Sequence, residues 1–187
     1  MASGPGSTGC RLRKNGPLDG HVEDDRTPQR DQAVLVDERL DDALALAYRY
    51  LNRRERTAAE TLAHLTGKGV DEETAHGAVR ALAEHGYLDD ARYATMFVQD
   101  KRELDRWGSE RIRRALLGRG IQHDLVEAAL AAGDGELERA VAVLRKRFTR
   151  PLEGQRERER ALGVLVRKGY DWDLALEALT SYARGSP

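Results

Sequence analysis

The sequence lacks the features of a disulfide scaffold, a membrane protein or a polyelectrolyte. One cysteine in 187 residues, Cys10, excludes a disulfide framework and a cysteine-rich metal site. The longest apolar runs, such as residues 43–48, fall far short of the roughly 20 residues that span a bilayer. No apolar stretch follows the first basic residues, so no secretory signal is expected and the expected location is the cytoplasm. Lys+Arg 31 against Asp+Glu 32 leaves a net charge of −1, which rules out a generally basic nucleic-acid coat and an acidic solvating chain alike. Strand-forming β-branched residues are scarce, with 11 Val and 2 Ile against 25 Ala and 24 Leu. Proline is missing from residues 29 to 150, which suits a succession of helices. The expected fold class is all-α.

What is present begins with a contrast along the chain. Residues 1–38 hold Pro5, Pro17 and Pro28, five glycines and few large apolar residues in any period. Such a segment cannot bury enough surface to offset its ordering entropy, so it is expected to be a disordered tail. Beyond it a repeat appears. Lys68-Gly69-Val70, Arg119-Gly120-Ile121 and Lys168-Gly169-Tyr170 match, with glycines 51 and 49 residues apart. Leu65, Leu116 and Leu165 stand four residues before each glycine. Val79, Leu130 and Leu179 follow nine residues after each Val, Ile or Tyr. A recurring unit of this length is an architectural signal. It predicts three-helix units at 39–88, 89–133 and 134–187, in an elongated tandem of about nine helices.

Each unit reads as a leading helix, a middle helix, a glycine turn and a trailing helix. A basic residue before glycine complements the negative helix end, and glycine takes the left-handed position after it. Asp71 and Asp171 stand where the trailing helices need N-caps, with Gln122 as a weaker equivalent. Thr57-Ala58-Ala59-Glu60 has the capping-box form, and Ser109 is the corresponding cap in the second unit. The leading helices are expected over Leu40–Leu51, Asp90–Leu104 and Glu136–Arg147. Between units one and two, Gly86 ends a helix and Asp89 caps the next. Leu88 and Tyr93 are spaced for a hydrophobic staple, and Tyr93, Phe97 and Leu104 keep helical spacing. Asp89-Asp90 reads as capping and not as a catalytic pair, because no further acid or base is placed to join them.

The chemistry of catalysis is missing from the pattern. There is no glycine-rich phosphate loop, nucleophile elbow, H-E-x-x-H or calcium loop. His21, His64, His76, His85 and His123 are scattered without metal-ligand spacing. No enzyme activity, cofactor or metal is expected.

Charge is uneven. Residues 40–90 carry 6 basic and 10 acidic groups, residues 91–133 carry 8 and 6, and residues 134–187 carry 11 and 9. Arg111, Arg113, Arg114 and Arg119 cluster on one helix, and Arg145, Lys146, Arg147 and Arg150 on the next unit. A helix-turn-helix reader of DNA needs basic or amide side chains on its second helix. Here the segments 71–79, 122–130 and 171–179 contain no Lys or Arg, and each has a carboxylate within its first three residues, which phosphates repel. Any contact to nucleic acid then runs through phosphates without sequence preference, while an acidic protein surface is an equal match. Trp107 either anchors a partner or packs over the inter-helix turn.

Gly86-Tyr87-Leu88-Asp89-Asp90, Arg92-Tyr93-Ala94, Phe97-Val98, Trp107-Gly108, Arg111-Ile112 and Gly120-Ile121 together resemble the RecX family of bacterial recombination regulators. The resemblance covers residues from about Leu40 to Tyr182. Tyr93 stands where the family usually has Phe, and Ala115 where an acid is common. The resemblance implies a three-unit protein that binds the RecA nucleoprotein filament in its groove. It further implies inhibition of RecA's ATPase, strand exchange and coprotease activities within homologous recombination, DNA repair and the SOS response. Some members also contact DNA. The partner-binding residues expected here are Arg92, Lys101, Arg102, Arg106, Trp107, Arg111, Arg113, Arg114, Arg119, Arg145, Lys146, Arg147 and Arg150. They would meet RecA or phosphates of single- or double-stranded DNA. The chain is expected to act as a monomer. The rivals are a DNA-binding regulator, non-specific or of helix-turn-helix type, and a general helical adaptor for another protein.

Overall fold

The computed structural model describes residues 27–133, 135–152 and 154–185, with side chains from residue 38 onward. Among these residues the chain forms nine helices and no strand. The first unit comprises α1 (Thr27–Leu51), α2 (Ala58–Gly67) and α3 (Glu72–Glu84). The second comprises α4 (Asp90–Glu103), α5 (Ser109–Leu117) and α6 (His123–Ala131), and the third α7 (Glu136–Arg147), α8 (Gln155–Lys168) and α9 (Trp172–Arg184). The architecture is an all-α tandem of three three-helix modules.

One boundary differs. Helix α1 begins at Thr27 and not at Leu40, so residues 27–38 of the expected tail are helical. Pro28 falls in the first turn, where a missing N–H breaks no intrahelical bond and a fixed φ favours helix. Residues 1–26, the rest of that expected tail, lie outside the described residues.

Each unit has its own core. The repeat leucines Leu65, Leu116 and Leu165 are each 0% exposed, and they sit in three separate clusters. Around them, the leading helices bury small residues against the trailing ones: Ala43 and Ala47 with Ala75 and Ala78, Ala94 with Ala129, and Ala140 with Ala175 and Ala178. Small side chains let these axes approach closely, so each leading helix packs on the trailing helix of its own unit. The glycine turns form as expected, with φ of +88°, +78° and +87° at Gly69, Gly120 and Gly169. Asp71 and Asp171 cap their helices, the first onto the Thr74 N–H at 3.0 Å and the second onto the Asp173 N–H at 2.9 Å. Thr57 and Glu60 complete a capping box.

The units are joined by caps that cross from one to the next. Asp89 caps its own helix, accepting the Arg92 N–H at 2.8 Å. Asp90 reaches back and accepts the Ala58 N–H at 2.9 Å, an orphan donor at the start of α2. In the second joint the first acid of α7, Glu136, accepts the Ser109 N–H and hydroxyl, both at 2.7 Å. Ser109 is therefore not the N-cap expected of it: Gly108 holds that position and Glu136 of the next unit supplies the acceptor. The second and third glycine turns also dock onto the start of the middle helix of the preceding unit. Thr57 Oγ1 donates to the Arg119 carbonyl at 2.8 Å. Gly108 N–H donates to the Lys168 carbonyl at 2.9 Å, and Glu110 N–H to the Gly169 carbonyl at 3.0 Å. The expected staple between Leu88 and Tyr93 divides instead, Leu88 joining the first core and Tyr93 the second.

Candidate partner interface

The second joint builds a cationic concavity. The loop between α4 and α5 is laced to the third unit: Lys168 Nζ donates to the Asp105 carbonyl at 2.7 Å, and Tyr170 Oη to the Arg106 carbonyl at 2.9 Å. Arg106 takes the left-handed conformation, φ +53°, in that tight connection. A groove of about 590 Å³ results, lined by Leu104, Asp105, Arg106, Val143, Lys146, Arg147, Val164 and Lys168. It runs on into a recess of about 240 Å³ lined by Arg147, Phe148, Arg160, Val164 and Arg167. The two share Arg147 and Val164.

Asp105, the acid in the groove lining, is engaged. Lys101 Nζ donates to its carboxylate at 2.6 Å, and this bond, with the fields of Lys101, Lys168 and Arg111, holds it below the usual carboxylate range. Lys146 and Arg147 are exposed and make no ion pair among the described residues, so their charges face solvent. Arg145 and Arg150 are exposed beside them. Arg111, also exposed, donates to the Arg167 carbonyl at 3.4 Å and lies 4.0 Å over the Trp107 ring. The arrangement suits anionic groups: carboxylates of a protein surface, or phosphates.

The other expected contact residues divide by environment. Arg102 is taken out of the surface. It is 9% exposed and donates to the Leu130 and Ala132 carbonyls at 2.6 and 2.8 Å, closing the end of α6. Burial pushes its pKa down, which a guanidinium tolerates because its ordinary value is so high. Arg113 is bound to Glu127 at 2.6 Å and to Glu110, and the Glu127 hydrogen bond chiefly raises its pKa. Arg119 is held at the first joint, bonded to Tyr93 Oη and 3.5 Å from Glu60. Arg114 stays exposed, its Nε on the Glu110 carbonyl at 3.2 Å. Arg92 lies 3.8 Å from Glu55. Trp107 is half-buried, edge-on to Phe97 and beneath Lys101 and Arg111, so it packs over the turn. Leu104, expected on the packed stripe, is 79% exposed and forms the groove rim, because α4 ends at Glu103.

Arg160, Arg167 and Lys168 complete the groove and were not among the expected contacts. In the sequence Arg160 belongs to an alternating Arg/Glu run that reads as a solvated face, and Lys168 reads as complementing a helix end. Their convergence on Lys146 and Arg147 depends on how α7 and α8 meet.

Fold and surface define a tandem of three-helix modules with a cationic groove where the second module meets the third. Family models for the first, second and third three-helix domains of RecX match residues 43–82, 89–130 and 134–179. The chain belongs to the RecX family. It is 35% identical over 160 residues to the regulatory protein RecX of Lactobacillus delbrueckii, covering 86% of this chain and 56% of that protein, so it spans little more than half the relative's length. It is 31% identical to the regulatory protein RecX of Mycobacterium avium, over 75% of this chain and 84% of the relative. It is 35% identical to the Thermus thermophilus protein of the same name, over 73% and 89%. The crystal structure of RecX from Lactobacillus salivarius superposes with a TM-score of 0.71 at 20% identity, over 78% of this chain and 97% of that one, which shows the shared fold. No helix among the described residues is long and apolar enough to cross a membrane.

Proposed function

We propose that this protein is a negative regulator of the RecA recombinase that acts as a monomer in the cytoplasm. It binds the RecA–DNA filament through the groove between its second and third units. It thereby inhibits ATP hydrolysis and strand exchange without catalysing a reaction of its own. The observation that supports this best is the groove of Arg106, Lys146, Arg147 and Lys168, whose one lining acid is already paired with Lys101. Filament surfaces offer repeated acidic side chains and phosphates, and a tandem of small modules lets successive units touch successive protomers. Weak contacts then multiply through effective concentration. The trailing helices, which carry no Lys or Arg over 71–79, 122–130 and 171–179, weigh against sequence-specific DNA reading.

RecA ATPase on single-stranded DNA tests the reading. Stoichiometric addition of the protein is expected to lower the steady-state rate. An untouched rate would favour an adaptor for some other protein, and a sequence-specific footprint on duplex DNA would favour a DNA-binding regulator.

A further inference from the structure

Arg102 is a buried cation without an anion. Its two terminal nitrogens meet the Leu130 and Ala132 carbonyls, which are neutral. Its Nε makes no hydrogen bond, and no carboxylate pairs with it, among the described residues. The Arg139 charge on α7 adds to burial in disfavouring the cation. A charge withdrawn from water in this way is ordinarily balanced by a counter-charge. There is room for one. Arg102 lines a cavity of about 610 Å³ between α4, the end of α6 and α7, a volume within the range of small-molecule sites. Arg106 and Arg139, both half-buried, line it too, and Arg106 Nη1 reaches only the Ala142 carbonyl, at 3.4 Å. The acids of the lining, Glu103 and Glu138, are exposed and so screened by water, and Glu103 accepts from Gln99 at 3.1 Å. Glu136, whose field also reaches Arg102, is bonded to Ser109. Positive charge therefore lies deep in the cavity and negative charge at its rim.

We propose that this cavity is a binding site for a compact dianion, a free phosphate or a small dicarboxylate, held among Arg102, Arg106 and Arg139. Guanidinium forks match the paired oxygens of either group. The recess selects a small molecule: with Arg102 only 9% exposed, a group must enter the cavity to approach it, and a polymer lying across the surface stays outside. Arg102 and Arg106 belong to the second unit and Arg139 to the third, so the bound anion braces the docked joint. Binding of this kind needs no RecA.

Circular-dichroism melts of the full chain in inorganic phosphate or in succinate, against sodium chloride of equal ionic strength, test this. A saturable rise in the midpoint beyond that in chloride is expected, since a ligand of the native state stabilises it by mass action. Saturation by phosphate alone would assign the site to phosphoryl groups and by succinate alone to dicarboxylates, and either supports the proposal. Arg106→Gln with Arg139→Gln is expected to weaken the affinity at least about tenfold, because one hydrogen bond to a charged group contributes about a factor of ten or more. Thr95→Glu, at an exposed position on the cavity lining, leaves the arginines in place and brings a competing carboxylate, so it too is expected to weaken binding. A midpoint that rises no further in either anion than in chloride would overturn the proposal, as would an affinity unchanged in both variants. Loss of the effect in a Lys146→Glu, Arg147→Glu variant would place the anion in the neighbouring groove and overturn it as well.

Discussion

Burial moves Arg102 and Tyr170, both of which titrate at the alkaline end of the scale, in opposite directions. Arg102 sits on the stripe Ala94, Val98, Arg102, and all three are buried. That i, i+4, i+8 spacing was legible in the sequence, but a guanidinium on the stripe read as one more surface cation. Its heads satisfy two carbonyls at the end of α6, where no glycine cap exists. Arg102→Met is expected to cost about 2–4 kcal/mol, since hydrogen bonds from charged groups contribute about 1.5–3 kcal/mol each and part of the volume is retained. Urea denaturation checks this, and a variant of wild-type stability would return Arg102 to the surface. Tyr170 is buried beneath the second joint, and burial pushes its phenol up to about 12 from 10. The folded state thus favours the neutral phenol. Its contribution is fully present below the unfolded pKa near 10 and is lost as the pH rises from there toward 12. Tyr170→Phe is expected to lower stability at neutral pH by about 0.5–1.5 kcal/mol for the lost hydrogen bond, and to flatten the decline above pH 10, as pH-dependent melts would show.

At the scale of helices and turns, spacing in the sequence revealed the repeat, the glycine turns and seven of the helix starts to within a residue or two. The repeat leucines and the caps at Asp71, Asp89 and Asp171 were legible because each acts on its own unit. The joints were not. Asp90 meets Ala58 across 32 residues and Glu136 meets Ser109 across 27, separations at which no local pattern names the partner. A matched pair of substitutions tests the joints. Gly69→Ala has open space around its new methyl group, so it carries only the left-handed backbone cost of about 1–2 kcal/mol. Gly169→Ala has the same φ, but its methyl would overlap the Arg111 backbone across the second joint. It is expected to cost clearly more, about 2–5 kcal/mol in all, because an overpacking penalty of about 1–3 kcal/mol is added. Equal urea midpoints for the two variants would mean that the units do not dock through their turns.

Across the whole molecule, three separate cores linked by narrow joints behave as coupled modules, and the surface between modules has a composition neither possesses alone. The sequence showed that basic residues gather in the second and third units. It did not show which are free, since pairing is settled only when helices meet: Arg113 finds Glu127 on α6, while Lys146 and Arg147 find no acid among the described residues. Variants that sort these residues therefore act differently. Arg113→Glu places three carboxylates together and is expected to destabilise the second unit, whereas Lys146→Glu with Arg147→Glu reverses charge at exposed positions and leaves the fold intact. The account rests on that groove, and the RecA ATPase on single-stranded DNA, titrated with wild type and with the Lys146→Glu, Arg147→Glu variant at matched helicity, tests it most directly. The wild type is expected to suppress hydrolysis, and the variant to require about ten- to thirtyfold more protein for the same effect, two contacts at about 0.7–1 kcal/mol each. Superimposable titration curves would contradict it.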